Sequence, residues 1–212
     1  MSHRSTPWIE IAVLIVLTAF LLGGAAGVPF HPDESSWLFQ SRDLEGVFTR
    51  PLSLAWRPAA RDTPELSYRL LNAPLAKYIL GTARLAAGFS AASVGTDWSW
   101  SRSWDENVAD GALPAQGLLA AARRASALLL IPAVVALYFC GRAVGGRGTG
   151  VAAAIFLGTN ALVLLHGRRA MAEGALTLAI CLALVGLIYA DRHPWLAGLA
   201  AGVAFARHRR RL

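Results

Sequence analysis

His31-Pro32-Asp33-Glu34 sets two adjacent carboxylates directly after a long apolar run. A carboxylate so placed can act as a general base, taking the proton of an acceptor hydroxyl as its oxygen attacks an anomeric carbon. Such a transfer also needs a cation to hold a phosphate leaving group and a slot for a long lipid. Arginine suits the phosphate, because its planar fork gives paired hydrogen bonds and stays charged. Arg168 and Arg169 supply one such pair, and Glu173 follows them. Lys77 and Arg84 supply two more cations. A plainer reading of the acidic pair exists. Pro32 ends one helix and opens another, and an acidic residue in a first turn stabilises it by capping. Capping accounts for Asp33 or Glu34 singly, and less well for both at the mouth of an apolar run.

The elements that must position these groups are apolar. Of 212 residues, 55% are hydrophobic and 16% are charged, against about 25% charged in an ordinary soluble domain. Charge is nearly absent from several long runs, which read as bilayer spans. About 20 helical residues cross a hydrocarbon core of about 30 Å. On this basis the chain is expected to be an all-α, polytopic membrane bundle. Full spans are expected at about 11–30, 125–144, 149–166 and 170–190, with an incomplete fifth at 195–206 and a basic tail at 207–212. Pro132 is a candidate kink in the second span. A glycine-rich turn around Gly145, Gly146, Arg147 and Gly148 separates the second span from the third.

Residues 31–116 form a long outer loop. Two stretches in it, 34–48 and 70–89, suit helices lying in the interface, with Lys77 and Arg84 reaching head groups. Trp98, Trp100 and Trp104 fit an interfacial belt. A cytoplasmic amino terminus puts this loop on the outer face of the cell membrane. Arg168 and Arg169 then lie outside, against the positive-inside tendency, which marks them for a functional role. The first run is longer than a signal-peptide core and is read as an uncleaved anchor.

The net charge of +7 is almost wholly arginine, with Lys77 the one lysine. It sits at the ends of apolar runs and in the loop, which suits anionic head groups and argues against nucleic acid as a partner. Cys140 and Cys181 fall inside apolar runs and read as small buried hydrophobes. No H-E-x-x-H-type spacing joins His31, Asp33, Glu34, His166 and Glu173 into a metal site, and a single phosphate can be held by arginine, so no metal or other cofactor is required.

His31-Pro32-Asp33-Glu34 resembles the first-loop acidic motif of the GT-C membrane glycosyltransferases. The nearest branch is the protein O-mannosyltransferase and aminoarabinose-transferase-like group. Asn72-Ala73-Pro74-Leu75-Ala76-Lys77-Tyr78 resembles that family's His-Pro-Pro-Leu-x-Lys segment, with Asn72 and Ala73 in place of its first two residues. Arg168-Arg169-Ala170-Met171-Ala172-Glu173 resembles its Arg-x-x-Met-x-Asp/Glu stretch. The resemblance implies a glycosyltransferase moving a mannose-like hexose, with inversion, from a polyprenyl-phosphate carrier to a protein, lipid or glycan acceptor on the outer face. It implies Asp33 as catalytic base with Glu34 in support. Arg168, Arg169, Glu173, Lys77 and His31 would lie toward the donor.

The family has more spans than this chain, so the sequence reads as the front part of a longer enzyme. Two other readings stand beside it: a non-catalytic membrane protein, such as a transporter fragment or assembly partner, and a different enzyme acting on polyprenyl phosphates. The gene sequence beyond Leu212 discriminates: a reading frame continuing into a threonine-lysine segment and further spans favours the transferase.

Overall fold

The computed structural model describes residues 8–55, 64–72 and 74–191, together with His193, Trp195, Gly198 and Gly202. All regular elements among them are helical. The first apolar run gives α1 (Trp8–Gly23), which stops where Gly23, Gly24 and Gly27 lower helix propensity. Pro32 then opens α2 (Pro32–Gln40). Its first turn is a capping box: His31 Nδ1 accepts the Asp33 N–H at 3.2 Å, and Glu34 Oε2 accepts the His31 N–H at 3.1 Å.

Four short helices follow: α3 (Asp43–Thr49), α4 (Pro64–Leu71), α5 (Pro74–Ala86) and α6 (Trp104–Ala109), with a 3-10 turn at Pro51–Leu54. Ser103 and Glu106 form a second capping box at the start of α6. The long apolar helix is α7 (Gln116–Thr159). Asn160 ends it and caps α8 (Ala161–Gly167) by accepting the Leu162 and Val163 N–H groups. The last is α9 (Glu173–Ile188).

Helix α7 is the spine against which α1, α5 and α9 pack. One apolar cluster joins Leu17 and Leu21 of α1 to Leu130, Val134, Tyr138 and Ala154 of α7. A second joins Leu38, Leu80, Leu118 and Ala170, and so brings α2, α5 and the connection before α9 onto the start of α7. Cys181 packs on Ala133 and Ala136, and both Cys140 and Cys181 are free and buried.

The expected bundle of four full spans and a short fifth is not what these residues build. One described helix, Gln116–Thr159, is long and apolar enough to cross a membrane; Trp8–Gly23 and Glu173–Ile188 are apolar but shorter. The reasons are local. Helix α1 has 16 residues, about 24 Å of rise, because the glycines end it well before residue 30. The second and third runs form one long element bent at Gly145 and Gly146, where Gly146 takes φ +81°. The third run is cut at Asn160, and the fourth becomes helical only at Glu173. Pro132 lies within helical backbone, so the bend falls on the glycines instead. The incomplete span at 195–206 and the basic tail at 207–212 lie almost wholly outside the described residues.

The reach of Lys77 and Arg84 toward head groups is corrected as well. Both point inward. They are 3% and 0% exposed and meet carboxylates on α3. Helix α5 is therefore held between α3 and α7. Gly81 permits this closeness: a Cβ there would stand 2.8 Å from the Ser41 carbonyl oxygen.

The bend in α7 brings its two arms together through glycine. A Cβ on Gly150 would meet the Tyr138 carbonyl oxygen at 2.8 Å. Gly150→Val is expected to force the arms apart and cost about 1–3 kcal/mol, seen as a lowered thermal midpoint in detergent.

Candidate functional site

The acidic pair diverges. Glu34 is fully buried. Its carboxylate accepts Arg123 Nε at 2.8 Å and Nη2 at 2.7 Å, the Ala170 N–H at 2.8 Å and the His31 N–H at 3.1 Å. Four donors fill the capacity of a carboxylate. Glu34 thus links α2, α7 and the connection before α9, and it has no lone pair left for a substrate proton.

Asp33, one residue earlier, stays half-exposed, with 41% of its side chain accessible. The nearest basic side-chain atom is His31 Nδ1 at 3.6 Å, the nitrogen that accepts the Asp33 N–H. Tyr68 of α4 comes close enough to feel the charges of both Asp33 and Asp97. The Tyr68 hydroxyl donates to Asp97 Oδ2 at 2.6 Å. Burial, then this carboxylate partner, pushes the phenol up to about 12, so it stays protonated. The second oxygen, Asp97 Oδ1, is buried and has no hydrogen-bond partner among the described residues.

Aromatic rings border this end of α2. Phe30 packs against Trp98 and Trp104, each with centroids 5.9 Å away, and the two tryptophans meet edge-on at 5.0 Å. Trp100 stands 6.4 Å from the His31 ring. Trp98 is buried, whereas Trp100 and Trp104 keep more than half their surface exposed. Aromatic faces beside hydroxyl-accepting carboxylates suit a molecule with one apolar and one polar side.

The arginine pair lies next to this site. The Ala170 N–H bonded to Glu34 follows it directly, so the structure brings His31–Glu34 and residues 168–170 together. Both arginines bond to backbone. Arg168 Nε donates to the Leu21 carbonyl at 3.0 Å and Nη2 to that of Phe20, closing the end of α1. Arg169 Nε donates to the Pro29 carbonyl at 3.3 Å, which leaves its terminal nitrogens without a hydrogen bond among the described residues. Glu173 Oε2, at the first position of α9, is buried and has no hydrogen-bond partner among the described residues.

Lys77 stands apart from this group. Its ammonium lies 2.6 Å from Asp43 Oδ2, and Arg69 grips the same carboxylate with Nε at 2.9 Å and Nη2 at 2.6 Å. Burial alone would raise the Asp43 carboxyl. The bonds and charges of Arg69 and Lys77 outweigh it and hold the group below its ordinary value of 3.8. Arg84 is bound in the same manner by Glu45 at 2.5 Å and 2.6 Å. Among the described residues, no group of three or more His, Cys, Asp and Glu side chains is placed to hold a metal ion.

Sequence reasoning passed over Arg123, Asp43, Tyr68 and Asp97. The second span is expected to begin at about residue 125, just after Arg123. The helix begins at Gln116 instead, and an arginine well inside an apolar helix signals a buried acidic partner. No local pattern marks Tyr68 or Asp97, because they meet only through the fold.

No family model, curated protein or solved structure matches this chain.

Two outcomes follow from the ion pairs. Glu34→Ala strands a buried guanidinium and is expected to cost about 3–5 kcal/mol, whereas Glu34→Leu with Arg123→Leu recovers much of that loss, read by thermal unfolding in detergent. Asp43 has a depressed value in the fold, so its contribution is whole above pH 3.8 and is lost as pH falls through its folded value. An acid titration of Asp43→Asn against the native chain should show the two converging below that pH.

Proposed function

We propose that this is a membrane-associated glycosyltransferase module in which Asp33 is the general base and the sugar donor is a polyprenyl phosphate. The observation that carries the reading is the split between neighbours: Glu34 is consumed by a buried ion pair, while Asp33 is left accessible on a rigid helix start. Asp33 takes the proton of the acceptor hydroxyl. The acceptor oxygen bonds to the anomeric carbon from the face opposite the phosphate. The bond from that carbon to the phosphate oxygen breaks, and the polyprenyl phosphate leaves with the electron pair.

Arg169 is the member of the pair with terminal nitrogens available for that phosphate, and the orphan oxygen of Glu173 is available to a donor-sugar hydroxyl. His31 steadies Asp33 and caps its helix. Glu34 and Lys77 take architectural roles in this reading, and Arg168 seals α1. The described helix able to cross a membrane supports membrane attachment, with the 31–116 segment and the site on the outer face as part of the proposal. The acceptor, whether protein, lipid or glycan, lies against the tryptophans.

A second reading has an observation of its own. Arg168, Lys77 and Arg84 all spend their charge on internal partners, as a non-catalytic membrane protein would have them do. A labelled polyprenyl-phosphate mannose assay in proteoliposomes separates the two. Asp33→Asn should keep the native thermal midpoint and lower transfer by about 10²-fold or more. Transfer that survives Asp33→Asn undiminished sinks the base assignment, and absence of transfer by the native chain favours the second reading.

A further inference from the structure

A pocket of about 330 Å³ opens at the other end of α2, between α3, the 3-10 turn and α4. Arg42, Arg50 and Arg69 line it, with the hydroxyl-bearing Thr49 and Ser53 beside them. Three carboxylates, Asp43, Glu45 and Glu65, line it too. Two of these are already neutralised from behind, Asp43 by Lys77 as well as Arg69, and Glu45 by the buried Arg84. With Lys77 and Arg84 included, cations exceed anions by two.

The arginines at the opening have donors to spare. Arg42 gives Nε to the Phe39 carbonyl at 3.2 Å, and its guanidinium carbon lies 3.7 Å from the Phe39 ring centroid, which fixes its plane. Its terminal nitrogens bond to no described residue. Arg50 is exposed and has no side-chain partner among the described residues. Two guanidinium groups at one opening favour an anion with several oxygens, and phosphate takes paired bonds from such forks. Phe48 and Leu52, next in sequence to the lining residues Thr49 and Ser53, are each 78% exposed. Exposed apolar side chains on the same short elements as a cationic pocket suit a phosphate carried on acyl or prenyl chains.

We infer that this pocket binds a phosphate ester, with a membrane lipid as its source. It is separate from the proposed transfer site. Asp33 and Arg42 lie nine positions apart on and just beyond α2, about 13 Å along the axis. Reacting atoms must approach to about 3–3.5 Å, so a phosphate here is not the leaving group at Asp33. The pocket instead anchors the 31–116 segment to phosphate-bearing lipid.

Calorimetry on the full chain in mild detergent tests this, using dioctanoyl phosphatidic acid, dioctanoylglycerol and inorganic phosphate as probes. Phosphatidic acid should bind and dioctanoylglycerol should not. The double variant Arg42→Gln/Arg50→Gln should lose about tenfold or more in affinity, since each charged hydrogen bond is worth about 1.5–3 kcal/mol. Arg50→Lys, which keeps the charge and loses the fork, should bind less tightly than the native chain and more tightly than the double variant, and an unchanged thermal midpoint for all variants excludes misfolding. Asp33→Asn should bind as the native chain does, which keeps this result apart from any failure of the transferase reading. Inorganic phosphate binding as tightly as phosphatidic acid supports the phosphate site and overturns the lipid as its source. Equal binding of phosphatidic acid by the native chain and the double variant overturns the pocket itself.

Discussion

The bidentate pair between Glu34 and Arg123 is the interaction on which the rest of the arrangement depends. Both side chains are withdrawn from water, at 0% and 6% exposure, and a carboxylate and a guanidinium in that setting are costly unless every lone pair is met. Here the remaining acceptor capacity of Glu34 is met by two backbone N–H groups, one from its own helix cap and one from Ala170. One residue therefore sets the position of α2 against α7 and against the connection that carries Arg168 and Arg169. It also decides the fate of its neighbour. With Glu34 turned inward, the helical rotation of about 100° per residue carries Asp33 away from the core.

A second set of charges adds to the apolar cluster of Leu38, Leu80 and Val94 in holding the 31–116 segment together. Helix α3 presents Asp43 and Glu45, and α5 answers with Lys77 and Arg84, while Arg69 joins from α4. These are partly or fully buried contacts with geometry good enough to offset desolvation. The same contacts explain why Lys77 and Arg84 are absent from any surface role, and why the pocket beside them is cationic despite its carboxylates.

What the sequence made legible was local. The helical class, the cap at His31–Glu34 and the glycine bend near Gly145 all rest on neighbours in the chain, and they are present. The single stretch expected at 70–89 divides instead into the end of α4 and α5, which starts at Pro74. The acidic motif lies beside Arg168 and Arg169 through the Ala170 N–H on Glu34. What failed was anything that depended on where an apolar run stops being helical. Hydropathy carried the first run past Gly23, the third past Asn160 and the fourth back to residue 170. Glycine, an asparagine cap and a non-helical connection decided otherwise. Charge partners were equally hidden. Nothing near Lys77 in sequence announces Asp43, and nothing near Asp33 announces Tyr68 or Asp97.

The Arg168 guanidinium lies where a side chain on Gly24 would have to go, while it holds the Phe20 and Leu21 carbonyl groups. The two positions are therefore coupled. A larger residue at 24 would displace the guanidinium and give up its bonds to the Phe20 and Leu21 carbonyls, of which Phe20 keeps the Gly24 N–H. Loss of the arginine gives up the same bonds, so a change at either position is felt at the end of α1.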